Sequence, residues 1–489
     1  MSYKLTPIKR IPALISLAIT LLIWFVIPVP EGVNTNAWHL LALFVGTIAA
    51  IISNALPIGG ISIIAIASVA ITRVTNPESA SGALADALSG FSNELIWLIG
   101  ASIMISISLI KTGLGARIGY FFISLVGKNT LGIAYAIGVA EVILAPVTPS
   151  NTARGGGIIH PIMRSISDSF NSKPTDDSRT KVGRYLALVN YNINPITSAM
   201  FITAKAPNPL IVNFIHQDSR FVLTWGMWAV AAFLPALFSL MIIPLIIYFI
   251  YPPTIKKTPD APQFARGKLK ELGSISLPEK ITIAVFVILL LLWAGIPAMI
   301  FGSEFSVPPT VAAFIGLSIL LLTGVLTWDD ILGNKGSWDT VTWFSALVMM
   351  ASFLGKLGLV SWLAQTVGSG INNLGLAWSA SILILLLIYV YSHYFFASTT
   401  AHITAMFSAF FIAGMALQAP PVLWALILAF SSSIMMSITH YGTGTAPIIF
   451  GSGYTTLGEW WKVGFIVSIV NLIIWSLIGG LWWKFLGYW

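Results

Sequence analysis

The sequence predicts an all-α polytopic membrane protein, with about 11 transmembrane helices plus two re-entrant hairpins arranged as an inverted repeat. Three observations carry that prediction: an apolar, charge-poor composition, a series of bilayer-length apolar runs, and two interrupted runs at matching places in the two halves. The chain has 489 residues, 57% hydrophobic and only 9% charged, and its mean hydropathy is +0.89. Soluble domains carry roughly 25% charged residues, so the outer surface of this chain faces lipid. The net charge of +8 is not read as nucleic-acid affinity, because polytopic proteins collect Lys and Arg in cytoplasmic loops. The absence of Cys excludes disulfides, thiolate metal centres, iron–sulfur clusters and cysteine nucleophiles.

Taken in order, Lys4, Lys9 and Arg10 precede an apolar run from Ile11 to Val29. It is too long for a signal-peptide core and lacks a small-x-small exit, so it reads as a retained first helix. Further runs long enough to span begin near Trp38, Ile58, Asn93, Tyr185, Phe221, Glu279, Val307, Val341, Pro421 and Trp460. The stretches Leu131 to Met163 and Gly375 to Gly414 are interrupted midway by Pro, Ser, Asn, Thr and Gly, and each reads as a re-entrant hairpin. With the N-terminus cytoplasmic and the C-terminus outside, only Arg73, Arg220, Lys356 and Lys484 fall on the outer side and Arg154 and Lys205 at membrane depth. The remaining basic residues are then cytoplasmic, as the positive-inside rule requires. The expected location is a bacterial inner or plasma membrane.

The first hairpin tip reads Ala145-Pro146-Val147-Thr148-Pro149-Ser150-Asn151-Thr152-Ala153-Arg154, and the second Phe395-Phe396-Ala397-Ser398-Thr399-Thr400-Ala401-His402. Lys111-Thr112-Gly113-Leu114-Gly115 likewise pairs with Lys356-Leu357-Gly358-Leu359 at nearly the same shift. The same series of spans plus a hairpin therefore occurs twice. The copies start on opposite sides, the arrangement that places a transporter's substrate at the midplane. Each half has a second interruption, Thr203-Ala204-Lys205-Ala206-Pro207-Asn208-Pro209 and Thr439-His440-Tyr441-Gly442-Thr443-Gly444-Thr445-Ala446-Pro447. Broken backbone is tolerated at membrane depth only when buried in protein or lining a wet cavity. Half-helices ending there aim amides and hydroxyls inward, which suits an anion.

At these residues the chain resembles the divalent anion/sodium symporter family, whose members carry Ser-Asn-Thr at each hairpin tip. Ser150-Asn151-Thr152 matches in full, and Ser398-Thr399-Thr400 matches with Thr in place of Asn. The resemblance implies a homodimer, an elevator-type movement, substrates among C4 to C6 di- and tricarboxylates, and substrate carboxylates held at the motif positions. It also implies scaffold parts at 1–130 and 281–374 and transport halves at 131–251 and 375–489, on either side of the long polar, basic stretch 252–280, which reads as a cytoplasmic linker. In the symporter branch the resemblance also implies oxygens beside these motifs that coordinate sodium, and Thr399 removes an amide from the second such site. Basic groups stand nearby instead: Arg154 and His402 beside the motifs, Lys205 and His440 in the paired breaks. A fixed cation supplies the charge that sodium otherwise brings and repels the metal. The chain thus looks like the sodium-independent exchanger branch, similar to the 2-oxoglutarate/malate translocators.

The expected substrate-binding set is Ser150, Asn151, Thr152, Arg154, Lys205, Asn208, Ser398, Thr399, Thr400, His402, His440, Thr443 and Thr445, with no metal ligand and no cofactor. Arg154 and Lys205 are expected to face a dicarboxylate, so that the loaded site crosses nearly neutral while the empty one carries two uncompensated charges, which favours obligatory exchange. Replacing either by Ala is expected to abolish exchange in a folded protein. Helix capping is the plain alternative for the Ser, Asn and Thr residues, and ordinary bundle packing for the histidines; His39, His160, His216 and His393 are assigned to packing. Gly155-Gly156-Gly157 lacks the strand and Lys-Ser/Thr of a phosphate loop. Neither a nucleophile–base set nor His-Glu-x-x-His supports an enzyme, and no repeated filter supports a channel. A sodium- or proton-coupled symporter on the same fold is the competing function.

Overall fold

The computed structural model describes residues 9–174, 176–219, 221–359, 362, 366, 377–396 and 398–489. Lys4, Arg220, Ala397 and the expected start of the second hairpin at Gly375 lie outside the described residues. Among the described residues every regular element is helical. The first half runs α1 (Arg10–Leu21), α2 (Thr35–Ile52), α3 (Ile58–Thr72), the short α4 (Ala80–Leu88), α5 (Glu94–Lys111) and α6 (Leu114–Val126). It continues through a hairpin of α7 (Thr130–Leu144) and α8 (His160–Ser169), a broken helix of α9 (Gly183–Met200) and α10 (Asn208–Ser219), and α11 (Trp225–Ile250). After α12 (Ala261–Glu271) the pattern recurs with α13 (Leu277–Trp293), a short α14 (Ile296–Phe301), α15 (Pro309–Leu322), the short α16 (Trp328–Gly333) and α17 (Lys335–Lys356). The second hairpin is α18 (Trp378–Tyr391) and α19 (Thr399–Ala416), the second broken helix α20 (Pro421–Ile434) and α21 (Thr445–Gly451), and α22 (Leu457–Ile473) leads into α23 (Gly480–Phe485).

Side-chain caps mark where these helices begin. Asn34, Asn93, Asn129 and Asn334 accept backbone N–H bonds at the starts of α2, α5, α7 and α17. Capping boxes of Ser276 with Glu279 and Thr456 with Glu459 open α13 and α22. Each cap satisfies backbone donors that a helix start otherwise leaves bare. Eight described helices are long and apolar enough to cross a membrane. Four shorter apolar ones are Arg10–Val26, Ile58–Thr72, Leu114–Val126 and Pro309–Leu322. α9 is absent from that set because Asn190, Asn192 and Asn194 interrupt its apolar surface, and all three are buried.

The repeat is expressed as packing as well as order. α3 packs on α17 and its counterpart α15 on α5; α10 packs on α19, while α21 packs on the turn 152–159 that opens the returning arm of the first hairpin. The halves therefore interlock. Two elements depart from the expected layout. α6 is too short to register as a span, yet it packs between α7 and α12. The polar stretch after α11 is not a free linker, because α12 lies on α6 and Arg117 holds Glu279 at 2.6 Å and the carbonyls of Leu272 and Gly273.

The interlock includes one point of backbone contact without room for a side chain. A Cβ on Gly90 would lie 2.0 Å from the Ser345 carbonyl oxygen of α17. Gly90→Ala is expected to destabilise the protein by about 1–3 kcal/mol through overpacking, seen as a lower melting temperature in detergent; an unchanged melting temperature contradicts the packing described.

Candidate functional site

The four interruptions meet. At the first hairpin tip, Pro146 and Pro149 lack the N–H that would continue the helix, and the chain opens at 148–150, just before Asn151. Asn151 reaches from this tip to the second broken helix: its Nδ2 donates to Thr443 Oγ1 at 2.9 Å, Thr445 Oγ1 at 3.1 Å and Asn194 Oδ1 at 3.3 Å. Thr152 sits against Gly444, where an added Cβ would lie 2.6 Å from the Thr152 hydroxyl. From the other tip, Thr399 Oγ1 donates to the Gly442 carbonyl at 3.0 Å. Asn151, Thr152, Thr399, Thr443 and Thr445 thus form one polar cluster.

Ser150 and Ser398 accept the N–H groups of Ala153 and Ala401 and cap the returning arms, while Thr400 is half-buried beside them. Asn208 plays a different part from the one expected. Its Nδ2 donates to the Ser198 and Phe201 carbonyls, closing the gap in its own broken helix, although its Oδ1 stays buried without a partner. His440 also departs from expectation: its ring packs among Tyr441, Phe450 and Trp461, and its Nδ1 accepts from Trp461 Nε1 at 3.1 Å.

The largest correction concerns Arg154. Its side chain is 0% exposed and its Nε meets Glu141 Oε2 at 2.6 Å. Nη1 donates to the Thr148 and Ala204 carbonyls, and Nη2 to Thr197 Oγ1 and Ser198 Oγ. All five guanidinium N–H groups have partners within the protein. The expectation that Arg154 offers an uncompensated charge to a ligand fails, because Glu141 neutralises it across the hairpin. Its role here is to tie both arms of the hairpin to α9 and to the break after it. Glu141 also accepts from Thr197 at 3.0 Å and from Asn194 at 3.3 Å, and Asn194 donates to the Asn151 carbonyl. The ion pair is connected to the site through Asn194.

Lys205 is the cation without such a partner. It is buried, its Nζ donates to the Ser432 carbonyl at 2.9 Å, and among the described residues it forms no ion pair. Tyr389 hydrogen-bonds the Ser432 hydroxyl at 2.7 Å, so Ser432 joins the lysine to the second hairpin. His402 stacks on Phe396, lies 4.7 Å from the Tyr389 ring, and its Nδ1 is 3.0 Å from Nδ1 of His393. His393, assigned to packing from sequence, is therefore part of this group, as are Glu141, Asn194 and Tyr389, which were not singled out. The repeat held the missing signal. Glu141 and Arg154 flank Ser150 at the same spacings as Tyr389 and His402 flank Ser398, and both pairs are in contact. No group of three or more metal-ligating side chains occurs among the described residues. Buried oxygens of Thr148, Ser437 and Thr439 nevertheless lack partners, as is expected where water or a small ligand completes the bonding.

A family model described as the sodium:sulfate symporter transmembrane region matches residues 8–489. The chain belongs to that family. It is a transporter and not an enzyme, a multi-pass membrane protein resembling the 2-oxoglutarate/malate translocators in its motifs. It is 50% identical to YflS of Bacillus subtilis (strain 168), which is named as a candidate malate transporter, over 99% of this chain and 98% of that one. Dicarboxylate transporter 1, chloroplastic, of Arabidopsis thaliana is 44% identical, over 98% of this chain and 83% of that one. The Escherichia coli (strain K12) inner membrane protein YbhI is 36% identical over 97% of each. The fold is similar to that of the Alcanivorax borkumensis YdaH transporter, with a TM-score of 0.56 at 13% identity over 81% of this chain and 86% of that one. MtrF of Neisseria gonorrhoeae gives a TM-score of 0.55 at 16% identity over 89% and 97%.

Removing one partner of a buried ion pair leaves an uncompensated charge, whereas removing both need not. Glu141→Gln and Arg154→Met are each expected to destabilise this family member by about 3–5 kcal/mol, with the double variant less destabilised than the sum. Melting temperatures of the three variants test this, and strict additivity contradicts the pairing.

Proposed function

We propose that this protein is a dicarboxylate exchanger, taking 2-oxoglutarate, malate, succinate or fumarate by elevator-type antiport. The observation that carries the reading is Lys205, a buried cation with no ion-pair partner among the described residues, next to the cluster of broken helices. In this reading Asn151, Thr152, Thr399, Thr443 and Thr445 hold the carboxylates, and the amides at the half-helix starts add partial positive charge. Lys205 stands where a coupling sodium would otherwise supply positive charge. The curated relatives named for malate or dicarboxylates support the substrate class.

The charge argument for exchange rests on one cation, since Arg154 is neutralised. A dianion opposite Lys205 leaves one net negative charge, stabilised by the inward-pointing amides and hydroxyl donors that oppose the lone ammonium of the empty site. The empty site carries an unpaired ammonium through a low-dielectric barrier, which slows return without cargo. In this proposal the parts 131–251 and 375–489 move against 1–130 and 281–374 within each protomer of a homodimer. The N-terminus is cytoplasmic and the C-terminus outside.

The unpartnered oxygens of Ser437 and Thr439 favour a second reading, sodium-coupled symport, since hard cations take oxygen ligands. One experiment separates the two. In proteoliposomes, labelled malate uptake is expected to require internal dicarboxylate and to ignore a sodium gradient; sodium-driven uptake into empty vesicles overturns exchange. Lys205→Gln is expected to lower exchange about ten- to a hundredfold, the worth of a charge-assisted bond, with the melting temperature retained. Unchanged exchange in that variant removes Lys205 from the site.

A further inference from the structure

Away from the cluster of breaks, a cavity of about 130 Å³ lies between α10 and α19 on one side and α2 and α17 on the other. In the proposed division the first pair belongs to the moving part and the second to the scaffold. Leu41, Phe44, Ala351 and Leu354 make the scaffold wall apolar, while Gln217, Asp218, Thr404 and Ser408 face it from the other side. Gln217 already crosses this boundary, its Nε2 donating to Ser352 Oγ of α17 at 2.7 Å. Asp218 does not: its Oδ2 is buried without a hydrogen-bond partner among the described residues. The Ser408 hydroxyl lines the same cavity and interacts with this carboxyl. Nothing in the substrate cluster uses this carboxyl.

Among the described residues no other ionisable side chain lines the cavity. On the packed elements, His216 of α10 is exposed, His402 lies at the other end of α19 against His393, and Lys356 at the end of α17 lies over Phe353. His39 of α2 stacks on Trp24; Lys205, before α10, bonds Ser432; Glu94 and Lys111 occupy the two ends of α5. Lys335 and Asp339 stand near the start of α17. Arg220 lies outside the described residues.

We propose that Asp218 is a proton-binding site on the sliding surface, and that the moving part passes the scaffold only with this carboxyl in its neutral acid form. An ionised carboxylate drawn along an apolar wall without a partner loses its hydration and gains nothing in return. The neutral acid can instead donate its proton to the Ser408 hydroxyl while its other oxygen stays uncharged. The proton is bound before passage and accompanies the part in both directions. Exchange is then accelerated by acid but moves no net proton. This inference rests on the elevator reading above.

The test is malate exchange in proteoliposomes loaded with malate, with pH equal on both sides. Between about pH 6.5 and pH 8.5 malate is a dianion throughout, so substrate ionisation stays constant. The wild-type rate is expected to fall about tenfold over that range, as for one required proton. Asp218→Asn is expected to hold its rate within about twofold across it. Ser408→Ala, which removes a donor to the ionised carboxylate, is expected to keep the maximal rate and move the midpoint to higher pH, and it serves if Asp218→Asn does not fold. A wild-type profile that is flat, or one that persists in Asp218→Asn, overturns the proposal. A profile abolished by Arg220→Gln also overturns it, since an ion pair would then be titrating. Uptake into vesicles lacking internal malate would refute exchange instead, and leaves the comparison of pH profiles to be read independently.

Discussion

A peptide group that leaves its helix inside a membrane must find another partner, and the architecture around the four breaks is organised by that requirement. Long polar side chains supply the missing bonds. Arg154 donates to the carbonyls of Thr148 and Ala204 at two different breaks, and Asn208 to those of Ser198 and Phe201. Tyr191 donates to the carbonyls of Met436 and Thr439 in the second half, and Thr399 to Gly442. Because each donor comes from a different element than the carbonyl it serves, or spans the gap in its own, satisfying the backbone also locks the breaks together. The site is a consequence of that lock: the hydroxyls left over, on Thr443 and Thr445, are the ones Asn151 brings against the first tip.

The two halves solve the same problem with different chemistry. In the first, Glu141 and Arg154 form a closed ion pair across the hairpin. In the second, the equivalent positions hold Tyr389 and His402, an aromatic contact reinforced by Phe396 and His393. A charged pair in one repeat and a neutral one in the other leaves Lys205 facing a hairpin with no carboxylate to compensate it. In the proposed reading, the asymmetry between the repeats, rather than the number of basic residues, is what leaves one positive charge for a ligand.

How much of this was legible follows from what hydropathy encodes. Helix starts at Ile58 and Pro421 coincide with the expected ones, since proline and polar caps interrupt apolar runs at those points. The pairing of the breaks was readable because a repeat shows in spacing alone. Which way Arg154 points was not. On helices that are apolar on every face, periodicity gives no direction, so the lone polar residue has to do so. Glu141 is that residue, the one carboxylate of the first hairpin and the arginine's partner. α6 escaped because thirteen residues fall short of a span, and α12 because a polar stretch between halves suggests a tether until Arg117 and Glu279 are seen to close over it.

The proposed elevator movement needs a binding site polar enough to hold a dianion and an outer surface apolar enough to slide, and in that reading the two demands fall on the same short helices. α10 begins beside the Lys205 break and carries Asp218 in its last turn; α19 begins after its cap Ser398 and carries Ser408 midway along its length. A charge at the first end of these helices is balanced by cargo. One at the second end faces Leu41, Phe44 and Leu354, where no cargo reaches it. In the reading proposed, the same electrostatic penalty acts at both ends with opposite remedies: at the site an anion arrives, and at the wall a proton is bound.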